Sequence, residues 1–167
     1  MDPSATRLVG RTVVFVRATA ADAGEIMTVQ RAAFVREAQL YDDPHVPPLV
    51  ETLDQVRAAI DGAIVIVGRL GHRVVASGRV VVIDRVAHIG RLAVAPDLQG
   101  QGIGRALLEA VESACEGDVD AFVLFTGQQT LGNLHLYHSA GYVDTHVAHV
   151  RGALTFVHMR KPTRDEA

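Results

Sequence analysis

The densest chemical signal in the chain lies at residues 94–105, Val-Ala-Pro-Asp-Leu-Gln-Gly-Gln-Gly-Ile-Gly-Arg. It reads as the end of a β-rich run, a glycine-rich turn and the start of a helix. Backbone N–H groups in the first turn of a helix have no intrahelical partner and carry partial positive charge. Glycines at 100, 102 and 104 remove the side chains that would keep a phosphate away from those groups. The segment is therefore expected to bind a phosphate. A dinucleotide fingerprint, G-x-G-x-x-G, does not fit the spacing around Gly104 and Arg105. A P-loop requires Gly-Lys-Ser/Thr where Gly104-Arg105-Ala106 stands.

Other chemistry-bearing residues are sparse. His135 and His138 are three apart, but no His-Glu-x-x-His pattern occurs and Cys115 is the single cysteine. No metal site is expected. Cys115 reads as a small buried hydrophobe rather than a reactive thiol, and a lone cysteine fits a reducing compartment. The stretch 37–48 carries Glu37, Asp42 and Asp43 among three prolines. Those acids could attract an ammonium group, or the stretch could be a solvated surface loop.

The elements that must position these residues follow from periodicity and stop signals. Residues 12–18 form a first strand, and Thr19 with Asp22 caps a helix running to about residue 39, with Ile26, Val29, Ala33 and Phe34 on one face. Asp42-Asp43-Pro44 breaks it, and Pro47-Pro48 is expected to keep the chain irregular. Thr52 and Gln55 form a second capping box for a short helix to about residue 60. Strands are expected at residues 63–69, 73–84 (with a bulge near Gly78) and 85–95. A helix follows over 102–116, stopped by Gly117. A strand over 119–125, a short helix over 133–140, and strands over 142–150 and 153–160 around a turn at Arg151-Gly152 complete the order. Strands and helices mixed in this way point to a mixed sheet with helices on both faces.

Composition sets outer limits. The chain has 167 residues, 49% hydrophobic and 21% charged, with no Trp and 5% aromatics. Such a chain folds as one domain, residues 1–167 with a core over about 12–160, built from aliphatic side chains. A net charge of −3 argues against a nucleic-acid partner. No apolar run is long enough for a membrane span, and residues 1–12 lack a signal-peptide pattern. A cytoplasmic protein with no membrane association is the expectation.

The pattern Gln99-x-x-Gly102-x-Gly104, directly after Leu92-Ala93-Val94 and Pro96, resembles the acetyl-CoA pyrophosphate motif of the GNAT superfamily of N-acetyltransferases. The element order from the first strand to about residue 160 is similar to that fold. So is Asn133-Leu-His-Leu-Tyr137-His-Ser-Ala-Gly141-Tyr142 to its late helix signature. The resemblance implies an α/β fold with a mostly antiparallel, twisted sheet of about seven strands. It implies that the strand at Leu92, Ala93 and Val94 splays from its neighbour and pairs with the pantetheine arm, while a backbone N–H near Leu92 faces the thioester oxygen. It places the pyrophosphate on Gln99, Gly100, Gln101, Gly102, Ile103, Gly104 and Arg105. Asn133 is the cofactor-contacting candidate of the late helix, although the usual Asn position of that motif is occupied by Thr130. Tyr137 is implied as the general acid for the leaving thiolate, and His88 stands where some members carry a catalytic base. Glu37 is a further candidate for orienting the amine. The implied activity is direct transfer of an acetyl group from acetyl-CoA to a primary amine of a small molecule or peptide, by a monomer or homodimer without metal. A non-catalytic acyl-CoA-sensing module of the same fold is the alternative, and a nucleotide-binding domain using the glycine loop is a second.

Overall fold

The computed structural model describes residues 4–8 and 10–163. Eight strands form one sheet in the order β1-β2-β3-β4-β5-β6-β8-β7. They are β1 (Ser4–Leu8), β2 (Arg11–Arg17), β3 (Ile64–Leu70), β4 (Arg73–Ile83), β5 (Val86–Val94), β6 (Ala121–Gly127), β7 (Val143–Arg151) and β8 (Leu154–Pro162). Every neighbouring pair is antiparallel except β5 with β6. A parallel pair needs a crossover, and the helix between these two strands supplies it. The helices are α1 (Ala23–Leu40), α2 (Pro47–Val50), α3 (Leu53–Gly62), α4 (Ile103–Ser113) and α5 (Leu131–Ser139).

Strand alternation divides the sheet between two helical layers. Ile66, Val75, Val80, Ala87 and Ile89 pack with α4 residues Ile103, Leu107 and Val111 and with Tyr137 of α5. Val65, Val67, Val74 and Ala93 face the other way, against Ile26 and Val29 of α1 and Val56 of α3. Helices thus cover both faces, as the element order implied. Cys115 is buried beneath α4, and burial pushes its thiol up to about 11, which suits a packing residue.

Two features differ from expectation. The sheet has eight strands rather than about seven, because Ser4–Leu8 pairs with Arg11–Phe15 as an antiparallel edge. Its short polar sequence carries no alternation by which to find it. Pro47-Pro48 begins the single turn α2 rather than an irregular stretch. A proline in the first turn forfeits no hydrogen bond, so the pair tolerates helix there. Both capping boxes are present: Asp22 Oδ2 accepts from the Thr19 N–H at 2.8 Å, and Gln55 N–H donates to Thr52 Oγ1 at 3.2 Å. Helix α4 ends at Ser113, earlier than the residue 116 expected from Gly117.

The layer containing α1 is fixed to the sheet by a buried ion pair. Arg79 of β4 donates twice to Glu51, at 2.8 Å to each oxygen, and Gln30 of α1 adds a third bond at 2.7 Å. Burial alone would push Glu51 up, but Arg79 and Gln30 outweigh it and hold the carboxyl below its ordinary value. The side chains of Arg79 and Glu51 are only 17% and 11% exposed. Removing one partner of such a pair leaves an uncompensated charge. Glu51→Ala is therefore expected to cost about 3 kcal/mol in urea unfolding. A loss below about 1 kcal/mol would show the pair to be effectively solvated.

Candidate active site

Pairing between β5 and β6 covers only Val86–His88 against Ala121–Val123. Beyond it the strands part. Residues 89–94 stay paired with β4, and residues 124–127 with β8. β5 is bent where it parts: its register against β4 shifts between Ser77 and Arg79, and Arg91 sits in the left-handed region at φ 54°. The bulge expected near Gly78 is thus present, with its extra residue on β5. A Cβ on Gly78 would lie 2.6 Å from Leu92, so the close approach that the bulge demands needs glycine there.

The gap opens into a cleft of ≈ 770 Å³, of the size that takes a cofactor or drug-sized ligand. Leu92, Ala93 and Val94 form one wall and the glycine loop another. Gly102 is the N-cap of α4 at φ 83°, a conformation a side chain would strain. The first helical bond of α4 runs from Ala106 N–H to the Gly102 carbonyl, so the preceding amides of the helix are without intrahelical partners. Gly100, Gly102, Gly104, Ile103 and Arg105 all line the cleft, so the loop and its donors fit a phosphate-bearing group. Gln99 lines it too, and its side chain donates to the Val94 carbonyl at 3.1 Å, tying the loop to β5. Gln101 is exposed and is not among the lining residues.

The opposite wall comes from α1 and α5. Phe34 and Glu37 of α1 and Asn133, Leu136 and Tyr137 of α5 line the cleft. Tyr137 is buried against the edge of Tyr142, with ring centroids 6.0 Å apart. Among the described residues its hydroxyl has no hydrogen-bond partner. Burial, and then the Glu37 carboxylate, push the phenol well above its ordinary value. Glu37 is itself raised by burial. Both residues line the same cleft. Asn133 Nδ2 is engaged by Thr126 at 3.2 Å, and Thr130 Oγ1 meets the Tyr41 hydroxyl at 3.1 Å. His88 is exposed on β5 and is not among the lining residues. Asp43 is held by the Arg151 guanidinium, and Asp42 is exposed.

With this geometry the family can be decided. A model of the acetyltransferase (GNAT) domain matches residues 49–163. The chain belongs to the GNAT acetyltransferase family. No curated protein matches it by sequence. Among solved structures it is similar to yncA of Salmonella typhimurium, solved with its cofactor acetyl-CoA, at 20% identity and a TM-score of 0.76, covering 93% of this chain and 96% of that one. The ribosomal-protein-S18-alanine N-acetyltransferase of Escherichia coli gives 18% identity and 0.75, with 93% and 96% covered. The paia N-acetyltransferase of Thermoplasma acidophilum, in complex with coenzyme A, gives 14% and 0.78, with 90% and 98% covered. At these identities the likeness is one of fold.

One residue that supports the cleft without lining it was not singled out from the sequence. Tyr41, just past α1, is buried and its hydroxyl accepts from the Gln129 N–H at 2.9 Å, fastening α1 to the loop between β6 and α5. Its partner signal is Gly127: a Cβ there would lie 2.0 Å from the Tyr41 oxygen and 2.5 Å from its Cζ. Gly127→Ala is expected to destabilise the protein by about 1–3 kcal/mol in a denaturant melt, because a whole ring must shift. Gly132→Ala, where a Cβ meets nothing within 4 Å, should leave the melt unchanged or slightly raised. Equal effects would remove Tyr41 as the cause.

Proposed function

We propose that this GNAT domain uses acetyl-CoA to acetylate a primary amine, with Tyr137 as proton donor and Glu37 as proton acceptor. The carrying observation is Tyr137, which lines the cleft together with the glycine loop and with Glu37 of α1. Acetyl-CoA, when bound, supplies the activated thioester. The free amides at the start of α4 would hold its pyrophosphate, and the unpaired edge of Leu92, Ala93 and Val94 would receive its pantetheine arm.

Acetyl transfer also requires proton movement at both ends of the reaction. The amine must lose a proton before its nitrogen can attack, and the departing sulfur must gain one. Tyr137, raised above its ordinary value, remains protonated at working pH and meets negative charge on sulfur as a donor. Glu37, raised by burial, is a stronger proton acceptor than a solvated carboxylate. Glu37 is preferred to His88 as the base because it lines the cleft. The acceptor is a small molecule or peptide, and a soluble cytoplasmic setting suits it; among the described residues no helix is long and apolar enough to cross a membrane.

Tyr137→Phe is expected to lower kcat at least about tenfold, measured by thiol release, with acetyl-CoA affinity kept within about twofold by calorimetry. An unaltered kcat would remove Tyr137 from the mechanism. A pH profile tests the base. Below the Glu37 pKa the carboxyl is protonated and cannot accept, so kcat/KM falls as pH falls, with the limb above the ordinary carboxylate range of about 4.3. Glu37→Gln should abolish that limb and His88→Gln should retain it. The opposite pair of results would assign the base to His88.

A further inference from the structure

Glu37 stands among side chains that the proton chemistry just described does not use. Helix α1 presents Ala33, Phe34, Arg36, Glu37 and Leu40 to the cleft. Helical residues three apart share a face, with Cβ atoms about 5–6 Å from each other, so Phe34 and Leu40 flank Glu37 by one turn on either side. Phe34 is partly buried against the core beneath α1, whereas Leu40 is 44% exposed. On the α5 wall Leu131, the first residue of that helix, also lines the cleft and is 72% exposed. Two leucines thus leave apolar surface in water on the walls of the cleft that holds Glu37 and Tyr137. Covering that surface with an apolar group is favourable, and exposed apolar surface collected in a groove marks a binding site.

The charges in the cleft are as restrictive. Among the described residues Glu37 is the only acid that lines it, while Arg36 and Arg105 line it as cations. Asp42 and Asp43 are not lining residues, and Asp43 is taken by Arg151. One ammonium can therefore be met by a carboxylate, but a second would find no acid and would face Arg36. Most polar side chains of the walls are already engaged. Thr130 bonds to Tyr41, Asn133 to Thr126, and Arg105 to the Ser139 hydroxyl, which itself donates to the Leu136 carbonyl. Arg36, Gln129 and His135 also line the cleft, and all three are exposed. An acceptor rich in hydroxyls would exchange water for few buried hydrogen bonds there.

We propose that the acceptor is a small primary amine with a single positive charge on an apolar chain or ring, its nitrogen meeting Glu37 while its substituent covers Leu40 and Leu131. This rests on the acetyl-transfer reading above. A polyamine brings a second ammonium that no acid meets. An amino sugar brings hydroxyls whose water the leucines would displace without replacing its bonds. A substituent read by leucines alone is selected by the apolar surface it removes from water, so each added methylene should raise kcat/KM about fourfold until the chain outgrows the two side chains. The gain appears in KM, because the substituent is held equally before and during the reaction.

The test is thiol release from acetyl-CoA on the full chain, with straight-chain amines from propyl to hexyl, an arylalkyl amine, a polyamine, an amino sugar and a short peptide with a free N-terminus. The expected result is a climb of about fourfold in kcat/KM per methylene, with the polyamine, amino sugar and peptide at least about tenfold below hexylamine. Leu40→Gln and Leu131→Gln exchange one good helix former for another at exposed positions, so the fold is kept. Each should flatten the climb to below about twofold per methylene and leave KM for acetyl-CoA within about twofold. Val35→Gln, exposed on α1 but outside the cleft, should change neither. A flat series in the unaltered protein, a climb that neither leucine variant lowers, or preference for the polyamine, amino sugar or peptide overturns the proposal and leaves acetyl transfer standing. So does a raised KM for acetyl-CoA with the amine series unmoved, which assigns the leucines to the cofactor. No thiol release with any of these amines, while acetyl-CoA still binds in calorimetry, overturns the acetyl-transfer reading and this proposal with it.

Discussion

Backbone pairing between β5 and β6 stops after three residues, and the rest of the molecule is arranged around that interruption. A continuous sheet satisfies its own amides and leaves no room between strands. An interrupted one exposes donors and acceptors that must find water or a ligand. The bulge at Arg91 is what turns β5 aside, and Gly78 is the small residue that lets the bent strand lie against β4. The α4 crossover then delivers its free first-turn amides to the mouth of the gap. Three separate local choices therefore converge on one opening.

On the α1 side of the sheet the charges are closely committed. Gln30, Glu51, Arg79 and Arg91 form a polar cluster in which Glu51 accepts from Arg79 and Gln30, and Arg91 Nε is the buried donor without a partner among the described residues. Incomplete satisfaction in a buried network is expensive, and the enforced backbone of the bulge is what holds Arg91 there.

Much of this architecture was legible in the residues. Two Thr-based capping boxes located α1 and α3, aliphatic runs bounded by turn residues located the central strands, and the Gly100–Gly104 spacing located the loop before α4. Local sequence carries such information because caps, turns and periodicity are local physics. The edge strand β1 was not legible, since its pairing comes from β2 rather than from its own pattern. Nor was the role of Tyr41, whose bond to Gln129 joins residues far apart in the chain. The exposure of His88 illustrates the same limit: strand register decides which way a residue points, and register follows from the whole sheet. Arg91 reads in sequence as an ordinary strand residue and gains its character only from the bulge.

The bonds that close the site have one more consequence. Tyr41 reaches Gln129 across 88 positions of chain, and Asp43 reaches Arg151 across 108. One wall of the cleft is thus stitched to segments synthesised long after it. A growing polypeptide that has completed α1 holds Glu37 but has nothing to set it against. Assembly of the site waits on the last hairpin, so its contacts are among the most non-local in the molecule and their formation pays the largest loop-closure entropy.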